Sequence, residues 1–272
     1  MAVFLTFGLA PFLHAVWLSF FEWDGMTIGT WYGLGNYRDI FHDPLIREAF
    51  GHSVVLIVFF STIPVVIGLL IAAILTTVKV RGSTVYRVAI FVPQVVASVV
   101  VGVIWNWIYA TDGPFNQALR AVGLGEFARP WLGDFTWALS AIGLIGAWML
   151  MGLCMVLFVA GIQQIPSSLY DAVKVDGGGR FRELITVTVP GLRYEFGVVL
   201  TLTIVGALKT FDLVFVLTRG GPGTETTVPG LLLYNRAFLD GRVGQACAIA
   251  VVLATLVFVV TVVLDRVASR EA

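Results

Sequence analysis

Six apolar stretches divide this chain, at residues 2–21, 53–78, 88–109, 138–162, 196–217 and 244–264. Each reaches the roughly 20 residues that a helix needs to cross the hydrocarbon core of a bilayer. Backbone polar groups in lipid must be satisfied within their own segment, so helices are the expected form. Charged residues are only 12% of the chain and hydrophobic ones 58%. A soluble domain carries roughly 25% charge, and so few charges could not cover a water-facing surface of this size. The expected class is therefore an all-α polytopic membrane protein with about six transmembrane helices, built as a single transmembrane domain over residues 1–272.

Six crossings put both termini on one side of the membrane. With that side taken as the cytoplasm, the inside segments 79–87, 163–195 and 265–272 carry Lys79, Arg81, Arg87, Lys174, Arg180, Arg182, Arg193, Arg266 and Arg270. The longer outside segments carry Arg38, Arg47, Arg120, Arg129, Arg219, Arg236 and Arg242. Basic density follows the positive-inside rule when the termini are cytoplasmic. The outside segments are rich in Trp, Tyr, Gly and Pro, as an interfacial aromatic belt would be, with Trp23, Trp31, Tyr32 and Tyr37 near the end of the first stretch.

Several functions are disfavoured by what the chain contains. The net charge is zero, which gives no footprint for nucleic acid. No Gly-x-x-x-x-Gly-Lys-Ser/Thr phosphate loop occurs, so this chain is not expected to hydrolyse ATP, and no cofactor is called for. Cys154 and Cys247 fall inside apolar stretches and read as packing residues rather than a metal site. Three scattered histidines, among them His14, supply no catalytic cluster. An ion-coupled secondary transporter would want several mid-membrane carboxylates, and only Asp212 lies well inside a stretch.

The segment between the fourth and fifth stretches carries the most specific pattern. Pro166-Ser167-Ser168 looks like a helix start, with Asp171 at capping-box spacing from Ser168. Residues 169–175 then make about two turns, and Asp176-Gly177-Gly178-Gly179 stops them because glycine takes positive φ freely. A second short helix is expected over 180–187, ended by Pro190. The first helix presents Leu169, Tyr170, Ala172 and Val173 beside charges, an amphipathic face suited to a groove on another protein. A surface hairpin with a glycine turn and no partner is the plainer alternative.

This segment resembles the EAA loop of the permease subunits of ABC importers, roughly E-A-A-x-x-D-G-A-x(8)-I-x-L-P. Asp171, Ala172 and Val173 stand at the E-A-A positions, Asp176 and Gly177 match, and Gly178 replaces Ala. Val187 and Val189 occupy the Ile and Leu positions, with Pro190 in register. Phe91-Val-Pro-Gln-Val-Val-Ala-Ser98, Trp105-Asn-Trp-Ile-Tyr109, Gly113-Pro-Phe-Asn-Gln-Ala-Leu119, Gly33-Leu-Gly-Asn-Tyr37, Leu217-Thr-Arg-Gly-Gly-Pro222, Tyr234-Asn-Arg-Ala-Phe238 and Gly244-Gln-Ala246 are similar to segments of the carbohydrate branch. The resemblance covers about residues 7–265 and implies the maltose-like, MetI-type fold in a bacterial inner membrane. It implies a coupling role for loop 163–195, with Asp171, Ala172, Val173, Asp176, Gly177, Gly179 and Pro190 as its residues. It also implies the partners: a second permease, two separate ATPase subunits and an extracytoplasmic solute-binding protein that delivers a sugar or oligosaccharide. A non-sugar solute, such as a polyol or a glycerol-phosphate-like compound, is the closest competing cargo. Family members usually carry basic residues before the first span, and none precedes it here. A native start upstream, or orientation by later loops, is the expectation.

Lys209 and Asp212 are the ionisable residues deepest in an apolar stretch, and such residues are costly enough to suggest function. On a continuous helix they would be i and i+3 neighbours. With Phe211 they could line a sugar pocket, which pairs aromatic faces with hydrogen-bonding groups, or they could form a structural ion pair. Trp148, Asn106 and Gln94 are further candidates for the substrate path, and Pro93 is expected to kink its helix.

Overall fold

The computed structural model describes residues 1, 3, 5–77 and 82–270, with side chains described as far as Arg266. The charges expected inside at Lys79, Arg81 and Arg270, and the stretch ends at Ala2 and Val78, lie outside what is described. The only β structure among the described residues is an antiparallel pair, β1 (Phe21–Glu22) with β2 (Thr30–Trp31). The helices are α1 (Leu5–Leu18), α2 (Gly35–His42), α3 (Pro44–Thr76), α4 (Ser83–Val95), α5 (Ser98–Ile108), α6 (Pro114–Ala121) and α7 (Ala138–Ile162). They continue as α8 (Ser167–Val175), α9 (Arg180–Gly191), α10 (Arg193–Leu208), α11 (Asp212–Leu217), α12 (Pro229–Tyr234) and α13 (Val243–Arg270). Three of them, α3, α7 and α13, are individually long and apolar enough to cross a membrane, and the bent pairs α4–α5 and α9–α10 bring the number to five. Helix α1 is apolar as well but shorter than these spans. The fold is all-α and polytopic, as the sequence leads one to expect.

Prolines explain much of the helical irregularity. A proline removes one amide donor and pushes its ring at the carbonyl four residues back. Three π turns, Leu5–Leu9, Val58–Thr62 and Leu184–Thr188, each end two residues before a proline: Pro11, Pro64 and Pro190. Widening the turn to i→i+5 bonding moves the clashing carbonyl and keeps the helix running. Helix α3 therefore extends for 33 residues through Pro64. At 1.5 Å per residue that is about 50 Å, well beyond a hydrocarbon core of about 30 Å. Around Pro93 the outcome differs. Val96 is extended, with φ −73° and ψ 135°, and α4 and α5 meet at 97°. The kink expected there is a full break.

The chain divides into two compact units. One comprises Met1–Val55, Gly102–Ile142 and Leu208–Val259; the other comprises Leu56–Val101, Gly143–Ala207 and Val260–Ala272. The second unit has a core of Val65 and Ala72 from α3, Cys154, Met155, Phe158, Val159 and Ile162 from α7, Leu192, and Val199 from α10. Close approach is enabled at Gly152, where a Cβ would stand 2.7 Å from the Cα of Phe91, so α7 meets α4 backbone to backbone. On α3, Val58, Val66, Leu70 and Ile74 recur at multiples of four and stay exposed, an apolar stripe suited to lipid.

In the first unit, Ile40, Ile46, Ala49, Leu232, Ala248 and Ile249 form the core. The sequence segments that resemble the permease family act here as polar staples. Asn36, 5% exposed, donates to the carbonyls of Ser19 and Phe21 at 2.9 and 2.8 Å and fixes the chain leaving α1. Fully buried Asn116 donates to the carbonyls of Ala110, Thr111 and Arg129 and accepts from the Trp131 indole at 2.9 Å. One amide thereby closes the loop between α5 and α7. The Gly-Gly-Pro turn after α11 is tied by Thr226, whose hydroxyl meets that of Thr218 at 2.7 Å and whose amide donates to the Gly220 carbonyl at 3.1 Å. Buried backbone groups need such partners, which is why loops this irregular are built from Asn and Thr.

Candidate functional site

The loop between α7 and α10 is a helical hairpin within the second unit. Helix α8 ends in a Schellman motif: the Gly178 amide donates to the Val173 carbonyl at 2.8 Å and the Gly177 amide to the Lys174 carbonyl at 3.0 Å. Gly177 has φ +73°, the left-handed conformation that the sequence pattern calls for. Gly179 is extended, with φ −85° and ψ 176°, and its carbonyl accepts from the Glu183 amide to start α9.

Two local expectations are corrected. Asp171 does not cap α8. The N-cap is Pro166, no side chain bonds the free amides there, and Ser167 and Ser168 already lie inside the helix. Asp171 sits a turn further on and pairs with Lys174 at 3.3 Å, both well exposed. Such a surface pair contributes little to stability, so the carboxylate is available to another molecule. Pro190 does not end the second helix. The π turn at Leu184–Thr188 absorbs it, and α9 runs on to Gly191.

The hairpin is rigid at its base and exposed along its length. The Tyr170 hydroxyl meets that of Thr188 at 3.1 Å and clasps α8 to α9. Thr188 and Glu183 are buried. Leu192 is fully buried in the core of the unit, at the point where α9 meets α10 at 73°. Beside it, Phe158 and Phe196 pack with ring centroids 4.9 Å apart. Away from this base, Leu169, Val175, Phe181 and Ile185 are half or more exposed. Asp171, Ala172 and Asp176 are exposed as well, and Val173 is half-buried. Sequence reasoning missed Leu192, Tyr170 and Thr188 as the parts that hold the hairpin. An apolar residue between Pro190-Gly191 and the next helix was the available signal for Leu192.

The intramembrane candidates fall into two groups. Phe211, Asp212, Lys209 and Asn106 belong to the first unit, and Gln94 and Trp148 to the second. Lys209 and Asp212 do not share a helix face, which corrects the i, i+3 reading. Helix α10 ends at Leu208 and α11 begins at Asp212, with Phe211 at φ −138° and ψ −58° between them. Both charged residues are exposed, and no ion pair joins them among the described residues. Phe211 starts a chain of rings: Phe211 to Phe215 at 5.3 Å, Phe211 to Tyr234 at 5.5 Å, and Tyr234 to Phe238 at 5.2 Å. Arg219 lies over Phe215 at 5.8 Å. The Asn106 amide donates to the Leu217 carbonyl at 3.4 Å, at the end of α11. Gln94 lies on α4 two residues before the break, half-buried, and Trp148 on α7 is 39% exposed.

The chain is a polytopic helical protein with a break between two apolar helices and an exposed helical hairpin, and comparisons place it in a family. Residues 54–271 match the family model of the binding-protein-dependent transport system inner membrane component, and the chain belongs to that family. It is 35% identical over 266 residues to the probable ABC transporter permease protein YurN of Bacillus subtilis, covering 97% of this chain and 90% of that one. It is 33% identical over 278 residues to the diacetylchitobiose uptake system permease protein NgcF of Streptomyces coelicolor, covering 97% and 79%. Its fold matches a chain of a bacterial ABC transporter that imports the acidic polysaccharide alginate, with TM-score 0.82 and 20% identity over 98% of this chain and 91% of that one. The protein is thus a multi-pass inner-membrane transport component of MetI-type fold rather than an enzyme.

Proposed function

We propose that this chain is one of two permease subunits of an ATP-driven importer, and that it forms part of the path for a sugar or oligosaccharide delivered by an extracytoplasmic binding protein. Two separate ATPase subunits would drive it from the cytoplasm. The observation that carries the reading is the hairpin of α8 and α9, open to a partner along its length and clamped at Leu192 into the core of its own unit. A push delivered on α8 would reach α7 and α10 without being lost in a slack loop. Asp171, Ala172, Val173, Asp176, Gly177, Gly179 and Pro190 are its coupling residues in this reading. The sugar is supported by the diacetylchitobiose relative and by the resemblance to the carbohydrate branch. Cytoplasmic termini are supported by the basic density of segment 163–195.

Phe211 and Asp212, with Lys209 and Asn106, are our candidates for the path. A carboxylate and an ammonium with no ion-pair partner among the described residues, flanking a helix break beside a run of rings, match the apolar C–H faces and polar hydroxyls of a sugar. Gln94 and Trp148 stay as candidates from the second unit. Asp212 also has a structural use, since a carboxylate in a first helical turn meets the positive end of the helix dipole. Asp212→Asn keeps the shape and removes the charge. We expect it to lower sugar uptake by about tenfold, the loss of one charge-assisted hydrogen bond, with the complex purifying at full yield. Uptake of a radiolabelled sugar panel into proteoliposomes tests both the cargo and the residue. Failure to assemble would assign Asp212 to structure, and wild-type uptake would remove it from the path.

A further inference from the structure

An apolar groove of about 420 Å³ lies wholly in the second unit, between α4 and α7. Val88, Phe91, Val92, Val95, Val96 and Val156 line it, and Arg87 stands at one end as the one charged group on its wall among the described residues. Val88, Val92 and Val95 recur at helical spacing and are about half exposed or more, so α4 turns an apolar face outward here. From Arg87 to Val95 that face runs about 12 Å at 1.5 Å per residue, most of one leaflet of a hydrocarbon core about 30 Å thick. Arg87 is half-buried and has no hydrogen bond, ion pair or ring contact among the described residues. Its Nε is covered, which leaves the terminal amino groups of the guanidinium as the donors that the groove can use. Neither α4 nor α7 carries an acidic residue, so the helices that form the groove cannot neutralise this charge. A cation partly withdrawn from water without a counter-charge is costly.

We propose that this groove holds one anionic phospholipid, its phosphate accepting from the terminal nitrogens of Arg87 and an acyl chain lying along Val88, Val92 and Val95. A phosphate fits the planar guanidinium with two parallel hydrogen bonds. The depth fits as well. Arg87 is the last residue before the apolar stretch 88–109, and Tyr86 beside it is about half exposed, a basic and an aromatic residue where headgroups lie. Lys79 and Arg81 stand shortly before it in sequence, and basic residues next to a span draw anionic lipid. A helix of the second permease is the rival occupant. Helix interfaces in membranes are enriched in small residues that let backbones approach, whereas this groove is walled by valine and phenylalanine, with no Gly, Ala or Ser. A zwitterionic lipid carries its own ammonium beside the phosphate, so a lipid of net negative charge is the better counter-charge. The inference needs α4 to start at a membrane surface, and it depends on neither the sugar nor the ATPase proposed above.

The test counts bound lipid by native mass spectrometry on the assembled importer, delipidated in detergent and titrated with phosphatidylglycerol or with phosphatidylcholine of the same acyl chains. Arg87→Gln should weaken phosphatidylglycerol binding at this site by about tenfold, the loss of a charge-assisted hydrogen bond, and leave phosphatidylcholine binding unchanged. Arg87→Lys should recover part of the loss, because the charge remains without the fork. Val92→Trp, which fills the groove, should displace one phosphatidylglycerol with Arg87 intact. Glycerol 3-phosphate, a headgroup without chains, should not compete. Equal binding of the two lipids by the wild type, or unchanged phosphatidylglycerol binding by Arg87→Gln and Val92→Trp, would overturn the proposal. Competition by glycerol 3-phosphate would also overturn it, by assigning Arg87 to a soluble phosphate. Loss of the second permease from the Val92→Trp complex would do the same, by assigning the groove to subunit assembly. A wild type that retains the lipid but imports no sugar would leave this site standing and overturn the function proposed for the chain.

Discussion

Gly177→Val should leave the chain inserted and assembled with its second permease, but should weaken retention of the ATPase by about tenfold. The reason is local. At φ +73° a β-branched side chain meets backbone atoms, which costs about 1–2 kcal/mol for an L-residue. Nothing else lies within 4 Å of a Cβ built at Gly177, so the penalty is conformational and not a clash with a neighbour. Against it stand side-chain contacts of similar size: the Tyr170–Thr188 hydroxyl pair, worth about 1 kcal/mol, and the exposed Asp171–Lys174 pair, which is worth less. The penalty therefore matches what orders the hairpin, and 1.4 kcal/mol is a factor of ten in a population. The spans are held by lipid burial and by the cores of their units, so insertion is spared. Copurification of the ATPase with the variant, beside membrane yield, measures it. Full retention of the ATPase would show that the Schellman turn does not position the docking helix.

Leu192→Ala should have the larger effect on stability and the opposite signature on binding. Leu192 is fully buried among Phe158, Val159, Ile162 and Val199, and truncating such a leucine costs about 2–5 kcal/mol, part of it for the cavity left behind. The loss falls at the elbow between α9 and α10. The hairpin itself keeps its turn and its exposed face, so the ATPase should still bind. Its hydrolysis should no longer follow the binding protein, because the hairpin is then attached to the core by a loosened joint. The check is the ratio of hydrolysis with and without liganded binding protein, together with the melting temperature of the complex. A lowered melting temperature with an intact ratio would mean that Leu192 stabilises the unit without transmitting anything.

What could be read from the sequence follows from how local its cause is. The positive φ at Gly177 was legible because few other residues tolerate it, and the spacing from Asp171 to Pro190 carried the family resemblance. The fold class followed from apolar stretches whose length only a bilayer demands. Pro190 misled because its effect depends on the turn before it, and nothing in Leu184–Thr188 announces a π turn. The break between α10 and α11 was hidden for a related reason: Lys209-Thr210-Phe211 contains neither glycine nor proline. Helical spacing was assumed across it, which put Lys209 and Asp212 on one face. Pro93 showed where α4 would bend, but the 97° turn is completed by an extended Val96, an ordinary residue in sequence. Leu192 was marked only by its apolar place between Pro190-Gly191 and the next helix, and its full burial comes from partners far away in the chain.

The central claim is that an ATPase drives this chain through the exposed face of α8 and α9. A photoreactive benzophenone amino acid placed at Leu169, and in a second variant at Phe181, tests it within the assembled importer. Both residues are half or more exposed on the hairpin. Phe258 on α13, equally exposed on an apolar helix, is the control position. The account predicts cross-links from Leu169 and Phe181 to the ATPase subunit, with yields that change when ATP is trapped, and none to the ATPase from Phe258. Cross-links from the hairpin to lipid or to the second permease alone, in a complex that still imports sugar, would contradict it.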